Sequence, residues 1–99
     1  MKTSVKAVNF DIAEKLEKYI QKKTRKFDKE LNDSVELEIR LKVVKPETNM
    51  NKESQARLQG FGGEFFAQKT ADTFEEGIDI VLDAVSRQVR KYKEKMQGK

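Results

Sequence analysis

The chain has 99 residues, 21 Lys and Arg against 17 Asp and Glu, a formal net charge of +4, and neither His nor Cys. That length fits one domain, 1–99, with a single small core that needs no disulfide or metal. Without His and Cys it lacks the commonest general base, the thiol nucleophile and the usual zinc ligands, so no enzyme, cofactor, metal site or small-molecule substrate is expected.

Targeting signals are equally sparse. No run of residues reaches the apolar length of a membrane span, and Met1-Lys2-Thr3-Ser4-Val5-Lys6 lacks the apolar run of a signal peptide. The missing Cys suits a reducing compartment, and the expectation is a cytoplasmic protein with no membrane partner. A charge of +4 is mild, so its distribution has to indicate any partner.

Residues 2–8 read as a first strand. Asn9-Phe10-Asp11 offers a helix cap, and Ile12, Leu16, Tyr19, Ile20 and Phe27 then recur at three- and four-residue spacing, which predicts a helix from Asp11 to about Glu30. Asn32-Asp33-Ser34 is a turn. In 35–43, Val35, Leu37, Ile39, Leu41 and Val43 alternate with Glu36, Glu38, Arg40 and Lys42, the pattern of a strand with one buried and one wet face. Lys45-Pro46 ends it and Glu47 to Asn51 is a polar loop. A weaker strand spans 53–59, with Ala56 and Leu58 inward. Gly60-Phe61-Gly62-Gly63 lacks the spacing of a phosphate-binding loop and reads as a hairpin connection. The next strand is 64–70, where Phe65 and Ala67 compete with Phe66 for the inward positions. A last helix runs from about Asp72 to Met96 with Phe74, Ile78, Val81, Leu82, Val85, Val89, Tyr92 and Met96 as its apolar stripe. The fold class is therefore α+β, in the order β-α-β-β-β-α: a four-stranded sheet, its last three strands antiparallel, with two helices packed on one face.

Charge is unevenly placed on both helices. At about 100° per residue, Lys15, Lys18, Lys22, Lys26 and Lys29 gather on one flank of the first helix, opposite Glu14, Glu17, Gln21 and Asp28, with Arg25 pointing outward between them. Lys23 falls at the core boundary, where its stem can pack and its amine can reach water. The last helix begins with Asp72, Glu75, Glu76, Asp79 and Asp83 and ends with Arg87, Arg90, Lys91, Lys93 and Lys95. Two readings are open. Bases near a C-terminus suit the helix dipole, and a lysine-rich flank can be merely solvated. Yet the dipole effect fades within a turn, whereas this run spans more than two, and arginine suits bidentate phosphate binding. A one-sided basic flank gains by neutralising RNA phosphates. Most aromatics fit core positions, so recognition by backbone and shape is expected rather than base stacking.

The chain resembles the short form of the ribosome hibernation-promoting factor family, also called ribosome-associated inhibitor or sigma-54 modulation proteins. The resemblance covers nearly the whole length. It rests on the element order, Asn9-Phe10-Asp11-Ile12 with Glu14 and Leu16, the Lys23 and Lys26 pair, Gly62-Gly63-Glu64, Asp72-Thr73-Phe74-Glu75 with Ile78-Asp79, and Arg87-Gln88-Val89-Arg90-Lys91-Tyr92-Lys93. It implies a fold like the double-stranded RNA-binding domain. It also implies binding to the small ribosomal subunit and its rRNA, in the channel for messenger and transfer RNA, so that translation is sterically blocked in stationary phase or stress. By position it assigns RNA contact to Lys23, Lys26, Arg87, Lys91, Lys93 and Lys95; Lys22 and Arg90 join them from the charge map alone. Long members carry a C-terminal domain that pairs two ribosomes, and some short ones an acidic tail. The sequence reaches Lys99 without either, so pairing by that route is not expected. The alternative reading is a protein-interaction module that regulates transcription, as the sigma-54 name suggests. Sequence leaves open the oligomeric state and whether the two basic flanks share a surface.

Overall fold

The computed structural model describes residues 1–31, 35–45 and 49–97. Its elements are β1 (Lys2–Val8), α1 (Glu14–Leu31), β2 (Glu36–Val43), β3 (Lys52–Gly60), β4 (Gly63–Ala71) and α2 (Phe74–Gln97), in the expected order. The turn expected at 32–34, the break at Pro46 and the side chain of Met96 lie outside the described residues.

The sheet order is β1-β2-β3-β4, with β1 parallel to β2 and the other pairs antiparallel. Register aligns one apolar row across all four strands: Val5 opposite Ile39, Ile39 opposite Ala56, and Ala56 opposite Ala67. A neighbouring row holds Leu37, Leu58 and Phe65. Strand alternation sends these to one face, where they meet Leu16, Ile20, Phe27 and Leu31 of α1 and Phe74, Ile78, Val81, Leu82, Val85 and Val89 of α2. The register also decides between the two phenylalanines of β4. Phe65 is buried, while Phe66 is 41% exposed on the open face, with the Arg57 guanidinium 5.6 Å from its ring centre.

Both helices begin later than their patterns predict. The first starts at Glu14 rather than Asp11. Asn9 takes a positive φ of 70°, and the Phe10 ring stacks on Phe74 at 4.7 Å. These two features hold the connection against the start of α2 and keep it out of the helix. The second helix starts at Phe74 because Thr73 is its cap: the Glu76 N–H donates to Thr73 Oγ1 at 3.1 Å.

α2 lies across β3 and β4, and it comes close because Gly77 has no side chain. A Cβ there would sit 2.6 Å from Ser54 Oγ, on a residue with no exposed surface. At the hairpin, Phe61 and Gly62 take φ of 56° and 80° between the paired Gly60 and Gly63, the two-residue turn that matches strand twist.

Candidate nucleic-acid interface

Leu16, Ile20, Thr24, Phe27 and Leu31 anchor α1 to the sheet, which turns the opposite side of the helix to solvent. There Lys22, Arg25, Lys26 and Lys29 line a shallow hollow containing no acid. Their spacing of three, four and seven residues stacks them along one stripe of two turns. Four like charges with no counter-charge between them hold a positive potential that a run of phosphates would relieve.

The helices run parallel. Tyr19 and Lys23 of α1 meet Asp79 of α2, and a few turns further along Glu30 meets Ser86 and Arg90. Parallel packing sets the two acidic starts at one end and the two basic finishes at the other. It also creates a groove between the helices, lined by Lys23, Lys26, Glu30, Asp79, Asp83 and Arg90 among others. Lys23 Nζ is 3.4 Å from Asp79 Oδ1, and Arg90 Nη2 is 3.5 Å from Glu30 Oε2. The Tyr19 hydroxyl donates to the Asp79 carboxylate at 2.7 Å. Burial, the hydrogen bond to Asp79, and the Asp79 and Glu75 charges push the phenol from its ordinary 10.0 up to about 12. Three bases thus face three acids, so this groove has no net charge, unlike the hollow on α1.

On α2, Arg87 Nε is bound to Asp83 Oδ2 at 3.1 Å, both side chains largely exposed. Lys91 and Lys95 are exposed and have no ion-pair partner among the described residues. Lys93 is half-buried, its ammonium 4.3 Å from the centre of the Phe61 ring. It therefore clasps the hairpin tip, and the strained Phe61 backbone is held by that contact and by packing on the core.

Gln88 has a different task. Its Oε1 accepts from the Phe66 N–H at 3.2 Å and its Nε2 donates to the Phe66 carbonyl at 2.9 Å. One amide thereby satisfies both edge-facing backbone groups of Phe66 on β4, the way a further strand would.

Of the residues expected to contact RNA, Lys23, Lys26 and Arg90 share the groove and Lys22 joins Lys26 in the hollow. Arg87, Lys91 and Lys95 stand along exposed α2, and Lys93 is turned to the hairpin. Arg25 and Lys29 were not among those residues, although their spacing from Lys22 and Lys26 is visible in sequence. The carboxylates Glu30 and Asp79 were not among them either, because their partners lie on another helix. The outer sheet face offers phosphate much less. There Arg57 is paired with Glu64 at 3.1 Å and Lys6 with Glu38 at 3.9 Å. No helix among the described residues is long and apolar enough to cross a membrane.

Comparison with known proteins agrees with this architecture. The family model for sigma 54 modulation protein / S30EA ribosomal protein matches residues 3–97. The chain is 28% identical over 101 residues to a ribosome hibernation promotion factor of Lactococcus lactis subsp. cremoris, covering 100% of this chain and 53% of that protein. It is 25% identical over 98 residues to a ribosome hibernation promoting factor of Pseudomonas putida, covering 99% of this chain and 92% of the relative. The chain therefore spans about half the length of the first of these relatives and most of the second. The structure of a ribosomal subunit interface protein from Coxiella burnetii superposes with a TM-score of 0.80 at 21% identity, over 94% of this chain and 98% of that one, a likeness of fold.

Proposed function

Since the chain belongs to the sigma 54 modulation protein / S30EA ribosomal protein family, we propose that it is a non-enzymatic, cytoplasmic ribosome-associated factor that inhibits translation and serves hibernation. In this reading one domain binds small-subunit rRNA in the channel for messenger and transfer RNA and acts by occupying it. The observation that carries the reading is the acid-free hollow of Lys22, Arg25, Lys26 and Lys29 on α1. The other bases assigned to RNA contact are Lys23 and Arg90 in the adjoining groove and Arg87, Lys91, Lys93 and Lys95 along α2.

The test is co-sedimentation of the pure protein with ribosomal subunits over a salt series. The expected result is pelleting with the small subunit at physiological salt and steep release as salt rises, because phosphate contacts displace counterions. Each contact removed by mutation lowers the log–log slope by about one unit. Transfer RNA should compete for the bound fraction. No pelleting at any salt overturns the reading. Retention of polymerase subunits alone after nuclease treatment would replace it with a transcriptional role.

A further inference from the structure

The groove between the helices is built differently from the hollow on α1. Two of its three bases are already engaged: Lys23 by Asp79 at 3.4 Å and Arg90 by Glu30 at 3.5 Å. Lys26 is the groove base with no ion-pair partner among the described residues, and it is also the one that the hollow shares. Each of the two carboxylates is also tied down by a neutral donor. Tyr19 donates to both oxygens of Asp79, at 2.7 and 2.8 Å, and Ser86 Oγ lies 3.4 Å from Glu30.

A phosphate entering this groove can reach Lys26 directly, but it must displace a carboxylate to reach Lys23 or Arg90. A ribose 2′-hydroxyl or an exocyclic base amine meets no such opposition, because it donates to a carboxylate. Building on the RNA-binding reading above, we infer that Glu30 and Asp79 are specificity-determining residues, which make the interhelical groove accept the donor edges of RNA while the acid-free hollow takes the phosphates. Any duplex can satisfy the hollow. Every RNA duplex carries 2′-hydroxyls, so the discrimination rests on base amines that only an irregular or single-stranded site splays out; the carboxylates thereby lower affinity for a regular duplex and spare the cognate site.

The experiment compares Glu30→Gln and Asp79→Asn with the unaltered chain on two targets: small ribosomal subunits, and a random-sequence RNA duplex of about 16 base pairs, the span that such folds contact. Each variant should bind the random duplex about two- to fivefold more tightly at low salt, the scale of an exposed ion pair. Its salt slope should steepen by about one unit for the released base. Neither should bind the small subunit more tightly. Equal gains on both targets, or no gain on the duplex, overturn the inference. Glu64→Gln frees Arg57 on the opposite sheet face; a duplex gain there as large as in the groove would also overturn it. Thermal unfolding of both variants checks the fold, and if one fails to fold the other carries the test. If the unaltered chain does not pellet with small subunits, the function reading fails on its own, and the duplex arm still reports whether the carboxylates repel RNA.

Discussion

At the scale of single residues, Tyr19 has its ionisation shifted by its surroundings. Its phenol is shielded by burial and donates to Asp79, so its ionisation is delayed from 10.0 to about 12. A folded value raised above the unfolded one contributes stability that is fully present below the unfolded value and is lost as pH rises through the folded one. The protein should therefore lose stability between about pH 10 and about pH 12 as this hydroxyl is forced to ionise beside a carboxylate. Tyr19→Phe should flatten that part of the stability curve, measured by denaturant unfolding at a series of alkaline pH values; identical slopes for the two proteins would contradict the assignment. The three-residue cluster of Tyr19, Lys23 and Asp79 was only partly legible. The boundary position of Lys23 followed from the helical period, and its half-buried stem agrees. Its partner lies on another helix, and no local pattern announces a contact made across a tertiary interface.

At the scale of elements, the alternation in 35–43 and the helical stripes predicted which faces are buried, and Leu37, Ile39, Leu41, Ile78 and Val85 are almost wholly enclosed. The starts of the helices were misplaced because capping depends on geometry. Thr73 rather than Asp72 accepts the first-turn N–H, and Asn9 with Phe10 delays α1. Gln88 sits beside the basic residues Arg87, Arg90 and Lys91, yet it clamps the edge of β4, which a sequence pattern does not reveal. Gly77 shows the same conflict between local and global preference. Alanine there would favour the isolated helix by about 1 kcal/mol. In the folded chain its Cβ would fall 2.6 Å from Ser54 Oγ and 3.1 Å from Ser54 Cβ, and overpacking of that kind costs about 1–3 kcal/mol. Gly77→Ala should therefore lower the stability. Ser54→Ala should recover part of the loss, since it clears the space and removes a buried hydroxyl with no partner among the described residues. A double-mutant cycle in urea measures that coupling, and additive effects would show that the two sites do not touch.

At the scale of the whole molecule, the decisive fact is that α1 and α2 run parallel. This gathers both acidic helix starts at one end and both basic finishes at the other. Not every base is equally available, however. Lys26 and Lys91 have no ion-pair partner among the described residues, whereas Arg87 is held by Asp83 at 3.1 Å. Charge reversal should follow that division: Lys26→Glu with Lys91→Glu should reduce small-subunit co-sedimentation at physiological salt well below what Arg87→Glu alone does, with circular dichroism unchanged because all three side chains are exposed. A larger loss from Arg87→Glu would show that its ion pair opens on binding and that the free-state pairing is a poor guide. The sequence by itself determined the element order, the buried faces and the basic flanks, because each is written in a local period of two or about 3.6 residues. Only the tertiary structure decided that Lys93 serves the hairpin, and that Glu30 and Asp79 pair with Arg90 and Lys23 in the groove. Electrostatic neighbours across a helix interface are set by how two elements pack, and that packing is a property of no single stretch of chain.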